Sequence, residues 1–474
     1  MNIPFVGPAY RSRSLPWSAQ ECVNLYLEAG GPGAKSEAAL LGTPGMTEFA
    51  TLAEAGGEVR GLWPASDGNL YAVCGDQMTK VDADGIVTSL GTLETDTGPV
   101  TMADNGVQIF AVDNPNGYVC YVSDGSFAKI PDTTESSNAT WTGAVMMDYL
   151  DGYGIGITPD SNQFWITNLY DFSSMYSALD FASAEANPDK LVAVQVDHRE
   201  VWLFGEKTVE VWYNSGDSSF PLSRVAGAFL EIGCAAAFSV ARADNTQFWL
   251  GTNGCVVRAD GYTPKIVSTR AMETAMAGYP RVDDARAFSF SQEGHTFYVI
   301  TFPTADVTWV YDAATDSWHQ RSSWGMGRWR ANCVARFANK IIIGDATSGR
   351  LYALDPASYT EAGQPIERVR VTAPLANEDV RLNHSRVCVD FECGVGTGSG
   401  QGEDPQAMLS WSDDGGRTWS DERTASMGRQ GEYRHRAIWR RLGQSRNRVY
   451  KLRITDPVRV AILGAYGDIT KGRS

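Results

Sequence analysis

Residues 192–213 hold three short β-type runs, 192–196 (VAVQV), 200–204 (EVWLF) and 208–213 (TVEVWY), split by turn segments at 197–199 and 205–207. Valine and the aromatic residues favour strands, and connections this short join antiparallel neighbours. The result is a β-meander, the unit from which propeller blades are built. The pattern recurs along the chain. Aromatic-rich or apolar second strands are expected at 69–73, 107–112, 152–157, 201–204, 247–250, 296–301 and 340–343. Their spacing is roughly the 40–50 residues of a four-stranded blade. Residues 308–311 and 318–321, on either side of an Asp-rich turn at 312–316, read as third and fourth strands. Seven such units fit between 59 and 363, or six if the long unit at 144–190 is irregular. Long amphipathic helical patterns are missing; the helical candidates are short, at 177–185 and 270–277.

The sequence therefore reads as all-β, in three parts. Residues 1–58 form an N-terminal extended arm, rich in Gly and Pro, with one platform strand at 22–27. Residues 59–363 form a β-propeller of six or seven blades. Residues 364–474 form a C-terminal β-sandwich-like platform domain of common domain size. Its expected strands are 368–372 and 385–392, then a hairpin of 408–411 with 417–420. A last hairpin joins 433–439 to 449–454 through a turn at 443–447.

At 474 residues the chain exceeds the ~250–300 at which single cores stop growing, so more than one domain is expected. The formal charge of −16 is unevenly placed. Residues 366–474 carry 18 Lys+Arg against 14 Asp+Glu, and the rest carries 22 against 42. An acidic body argues against generic nucleic-acid binding, which needs cations to neutralise phosphates. It suits solubility, or a surface that DNA slides past. The eight cysteines lack Cys-x-x-Cys spacing and sit mostly in apolar runs, which points to reduced, buried thiols rather than a zinc site. No apolar run reaches the ~18 residues of a membrane span, and the first residues lack the order of a signal peptide.

Two motifs carry most of the functional interest. Ser412, Asp414, Gly416, Thr418 and Trp419 complete an Asp-box, Ser-x-Asp-x-Gly-x-Thr-Trp. The motif occurs in sialidase propellers, but its physics is local: the Asp caps a tight turn, a glycine takes a left-handed conformation, and the Trp covers the hairpin. A single copy outside the propeller repeats reads as a folding device. Between Arg417 and Arg453 lie eleven Lys or Arg residues against Asp421, Glu422 and Glu432. Arg434, Arg436, Arg440, Arg441, Lys451 and Arg453 are the candidates for assembly contacts with an acidic neighbour; phosphate binding is the competing use. No catalytic residues, metal ligands or cofactor-binding residues are expected. The five histidines form no metal or nucleophile pattern, and no phosphate-cradling glycine loop occurs. Asp148, Asp151, Asp160, Asp171 and Asp180 show no acid–base spacing and read as solvated loop carboxylates.

Three segments together resemble one family. They are 21–28 (ECVNLYLE) with 40–46 (LLGTPGM), then 164–212 with its FWITNL, FASAE and GEKTVEVW runs, then 439–443 (WRRLG) with 451–454 (KLRI). They are similar, in order along nearly the whole chain, to the tail hub, or nozzle, proteins of short-tailed bacteriophages, also called packaged-DNA stabilisation proteins. The resemblance implies a structural virion protein of the tail, assembled in the host cytoplasm. It implies a ring of like subunits, a hexamer in such proteins, below the portal and its head-to-tail adaptor. Further implied partners are a tail fibre or spike and a distal plug, with double-stranded DNA passing through. The alternatives are a carbohydrate-binding or depolymerising propeller of the tail tip, and a propeller scaffold of cellular origin.

Overall fold

The computed structural model describes residues 1–132, 141–175, 181–183, 189–218, 220–378 and 380–472. All seven expected second strands form: Leu70–Cys74, Gln108–Val112, Tyr153–Ile157, Glu200–Gly205, Thr246–Leu250, His295–Phe302 and Lys340–Asp345. Each lies second in its own run of four antiparallel strands, so the described residues form seven blades. These strands are covered on both faces by neighbouring blades, which is why they read as continuous apolar runs. Leu70–Cys74 and Gln108–Val112 are buried at every position. Aromatic pairs join adjacent blades: Phe204 meets Trp249 at 5.5 Å between ring centroids, and Phe248 stacks on Tyr298 at 5.2 Å.

The hairpin turns explain the tight spacing. At His198–Arg199, Asp244–Asn245 and Ala338–Asn339 both central residues take positive φ, between 48° and 63°. That is the two-residue turn whose twist matches paired strands. The helix expected at 270–277 forms as α1 (Arg270–Met276), with Thr269 accepting the Met272 N–H. The one expected at 177–185 lies largely outside the described residues, and Phe181–Ser183 within it pairs as a strand with Gln163–Asn168.

The arm differs from expectation. In place of one strand it supplies four: β1 (Glu21–Val23), β2 (Leu25–Ala29), β3 (Ala38–Gly42) and β4 (Gly45–Thr51). β4 pairs with Arg350–Asp355 as the outer strand of the seventh blade and so closes the propeller with the start of the chain. β1 lies parallel to Ser317–Arg321 of the sixth blade and antiparallel to Arg368–Val371. A single sheet therefore runs from the sixth blade into the C-terminal domain. His295 ties the arm to that blade, with Nε2 2.7 Å from Glu28 and Nδ1 2.8 Å from Asp312. Two carboxylates accept from one ring, so both nitrogens donate and the ring is an imidazolium. Burial draws its pKa down, but the two carboxylates outweigh burial and leave it raised.

The C-terminal domain is a sandwich. One sheet orders β1, Arg368–Val371, Asn447–Ile454, Gln406–Ser412 and Arg423–Ser426. The other orders β2, β3, Ala461–Lys471, Leu382–Phe391 and Ala437–Arg440. Phe5, Val387, Leu409, Trp439, Tyr450, Leu452 and Ile462 fill the space between. The expected final hairpin does not form. Ala437–Arg440 pairs with Leu382–Phe391, whereas Asn447–Ile454 pairs with Gln406–Ser412 in the opposite sheet. Both segments are strands, but after Ala437–Arg440 the chain stays on the second sheet through Gln444–Ser445 and then crosses to the first instead of turning back. The strand that pairs with Gln406–Ser412 in its hairpin is likewise Arg423–Ser426, not 417–420.

Candidate assembly surface

The Asp-box closes the turn after Gln406–Ser412. Asp414 accepts the N–H groups of Arg417 and Thr418 at 2.9 and 3.0 Å and the hydroxyl of Thr418 at 2.6 Å. Ser412 Oγ accepts the Gly416 N–H at 2.8 Å. These bonds, first those from the Ser412 and Thr418 hydroxyls, hold the Asp414 carboxyl well below the usual range. Gly415 and Gly416 take φ of 77° and 91°. Trp419 is half-buried, with the Lys451 ammonium 4.4 Å from its ring centroid. The turn has a second use that its sequence did not show. It packs on the arm: a Cβ added at Gly415 would lie 2.8 Å from Pro16 Cα. Gly415→Ala therefore combines a left-handed alanine with an overpacked contact. The expected cost is about 2–4 kcal/mol, read as a lowered denaturant midpoint. An unchanged midpoint would remove the arm-docking role.

The six basic candidates divide between the two sheets. Arg434, Arg436, Arg440 and Arg441 are exposed around Ala437–Arg440, at one edge of the second sheet. Beside them Tyr433 is 77% exposed. Lys451 and Arg453 lie in the first sheet and have partners within the chain. Lys451 covers Trp419, while Arg453 pairs with Glu422 at 2.7 Å and Glu367 at 3.3 Å. The four arginines and Tyr433 give this edge a basic, aromatic composition, that of protein–protein contact centres. Arg423 buttresses it by donating to the carbonyls of Arg440 and Arg441, both at 3.3 Å.

The propeller axis encloses a cavity of about 270 Å³ lined by the first strands of the blades. Three arginines reach it, Arg60, Arg242 and Arg286, and two of them are tied to the surrounding protein. Arg60 spends its five N–H groups on Gly75, Thr95, Thr97 and Gly98, at 2.6–2.9 Å. Arg286 bonds to Glu58 and Asn332. Among the described residues, Asp148 is the one carboxylate in the lining, and it accepts the Val196 N–H at 2.7 Å. Burial pushes its pKa up. The usual glycoside hydrolysis machinery is a pair of facing carboxylates, and among the described residues this cavity presents one. Asp151 pairs with Arg199 and Asp160 with Lys190, each at 2.8 Å; Asp171 caps Ser173, and Asp180 lies outside the described residues. All eight cysteines are free thiols. Among the described residues no group of three His, Cys, Asp or Glu is placed to hold a metal, and no helix is long and apolar enough to cross a membrane.

The class so defined is an all-β protein in which a seven-bladed propeller shares a sheet with a β-sandwich. Residues 1–359 match the family described as bacteriophage P22 Gp10, beta-propeller, and residues 367–470 match bacteriophage P22 Gp10, beta-sandwich. The chain belongs to this family: it is a structural phage tail protein of the kind that stabilises packaged DNA. No curated protein matches it in sequence. Among solved structures it is similar to the WD40 β-propeller domain of Doa1, at 12% identity and a TM-score of 0.41, covering 66% of this chain and 98% of that one. It is also similar to the Pan2 WD40 domain of Neurospora crassa, at 9% identity and a TM-score of 0.42, covering 66% and 96%.

Proposed function

We propose that this protein is the tail hub, or nozzle: a non-enzymatic ring, six copies in all, seated below the portal and adaptor in the virion. In this reading the ring extends the DNA channel, retains the packaged genome, and docks tail fibres or spikes and a distal plug. Residues 1–58 act as the arm, 59–363 as the propeller and 364–474 as the platform. One observation carries the reading: both modules of a single phage-tail family match in order, over 1–359 and 367–470. The charge distribution supports it. An acidic body suits a conduit wall that DNA does not adhere to, and a basic patch at 434–441 suits contact with the acidic body of a neighbouring copy.

Charge reversal tests the patch. Arg434→Glu with Arg436→Glu is expected to reduce ring or adaptor assembly, seen by electron microscopy and sedimentation, with thermal stability unchanged because both residues are exposed. Normal assembly with weakened, salt-sensitive DNA binding would move the patch to phosphate contact. Monomers associating with cellular proteins rather than virions would overturn the hub assignment.

A further inference from the structure

Arg368, Arg370 and Arg448 are among the largest fully buried side chains of the protein. Two of them are fully engaged. Arg370 donates to the carbonyls of Phe5 at 2.6 Å, Glu21 at 3.3 Å and Pro8 at 3.4 Å, and to the Gln20 side chain at 3.3 Å. Arg448 makes a two-point pair with Asp413 at 2.6 and 2.7 Å. Arg368 is different. At 1% exposure its Nε and Nη1 have no hydrogen-bond partner, and no described carboxylate forms an ion pair with it. Its neighbour Arg321 adds positive charge, and only Tyr359 favours the cation.

Burying a lone charge costs several kcal/mol, so native proteins pair such groups or neutralise them. Neutralisation is not the answer here, because burial lowers the Arg368 pKa only to about 10. Arg368 lines a pocket of about 300 Å³ where three parts of the chain meet. The arm contributes Thr43 and Pro44, the propeller Gln292, Glu293 and Tyr359, and the sandwich Arg368 and Arg459. Arg459 stands at the surface and pairs with Glu392 at 3.3 Å. Glu293, the one carboxylate in the lining, is exposed and accepts the Tyr26 hydroxyl at 3.4 Å.

We infer that this pocket is a binding site for a small oxyanion, held by Arg368 from within and Arg459 from the mouth, which fastens the sandwich to the propeller and arm. A guanidinium with free N–H groups is the side chain best matched to a phosphate or carboxylate, and the pocket has room for either. Gly42 belongs to the same design, since a Cβ there would lie 2.6 Å from Arg368 Nε.

The test uses the full chain, titrated separately with inorganic phosphate and with acetate at constant ionic strength. Either anion should give saturable one-site binding by calorimetry. It should also raise the unfolding temperature by about 1–2 °C at tenfold excess over Kd. The two arms decide between a tetrahedral and a planar ligand. Arg368→Met should abolish the response. If that variant does not fold, Arg459→Gln, at the exposed mouth, should weaken binding several-fold. No saturable response to either anion overturns the site. So does an equal response in Arg368→Met, or unchanged affinity in Arg459→Gln.

Discussion

A chain lacking residues 1–51 loses its cooperative unfolding transition. The arm buries Ile3, Phe5, Leu25, Tyr26, Leu40 and Met46, each at 6% exposure or less. Burying a large apolar side chain is worth ~1.5–3 kcal/mol, so these six contribute roughly 9–18 kcal/mol. That is as large as the whole ~5–15 kcal/mol net stability of a typical protein. The pairing consequences add to it. Without β4 the seventh blade has a bare edge at Arg350–Asp355, and without β1 the sheet from the sixth blade to the sandwich is cut. Exposed strand edges of that kind pair with other chains, so aggregation is expected alongside the lost transition. The comparison is thermal unfolding and near-ultraviolet dichroism of the truncated and full-length proteins. A native-like spectrum with a sharp transition in the truncated chain would make the arm an accessory.

Acidification weakens the fold through His319 and His384, and His384→Gln removes its share. His384 is fully buried between the Tyr450 hydroxyl at 2.8 Å and the Ser445 hydroxyl at 2.9 Å. Burial, then the nearby Arg448, lowers its pKa to about 4; burial, then Arg321, lowers that of His319 to about 3. Both lie below the unfolded value near 6.5. As pH falls through 6.5 the unfolded chain takes up the proton first, so stability is present above 6.5 and is lost down to the folded values. The slope is about 1.4 kcal/mol per pH unit for each ring. Asp148 and Glu361, raised by burial, act in the opposite sense, so the difference between proteins is the readout. Between pH 6.5 and 4.5 the wild type should lose about 2 kcal/mol relative to His384→Gln, measured by denaturant titration. Parallel pH profiles would show that His384 titrates normally. His295 behaves in reverse: its raised pKa gives stability that is complete below 6.5 and lost as pH rises through the folded value. Its loss should appear first as arm release on the alkaline side.

The propeller was legible because its signals are local. A second strand covered on both faces must be largely apolar, as at Leu70–Cys74, and a two-residue turn must suit positive φ, as Asp244 and Asn245 do. Such features survive in sequence whatever lies around them. The Asp-box was legible for the same reason, since its hydrogen bonds join residues at most four apart. The sandwich was legible only as strands. Ala461–Lys471, the longest strand of the chain, was not foreseen, because Gly464 and Gly467 interrupt its alternation. The basic cluster looked like one hairpin, but no local pattern tells a reversing connection at 441–446 from one that crosses between layers.

By itself the sequence determined that this protein is all-β, that blades repeat across its middle, and that its charge is acidic with a basic end. Each follows from composition or from contacts within about ten residues. Tertiary structure alone decided the rest: that the first 51 residues complete both domains, that Lys451 and Arg453 face partners within the chain while four arginines face outward, and that Arg368 is buried without a counter-charge. The reason is physical. β-pairing and burial between residues some 300 apart, such as β4 with Arg350–Asp355, are set by which edges and faces remain open once the local pieces have formed.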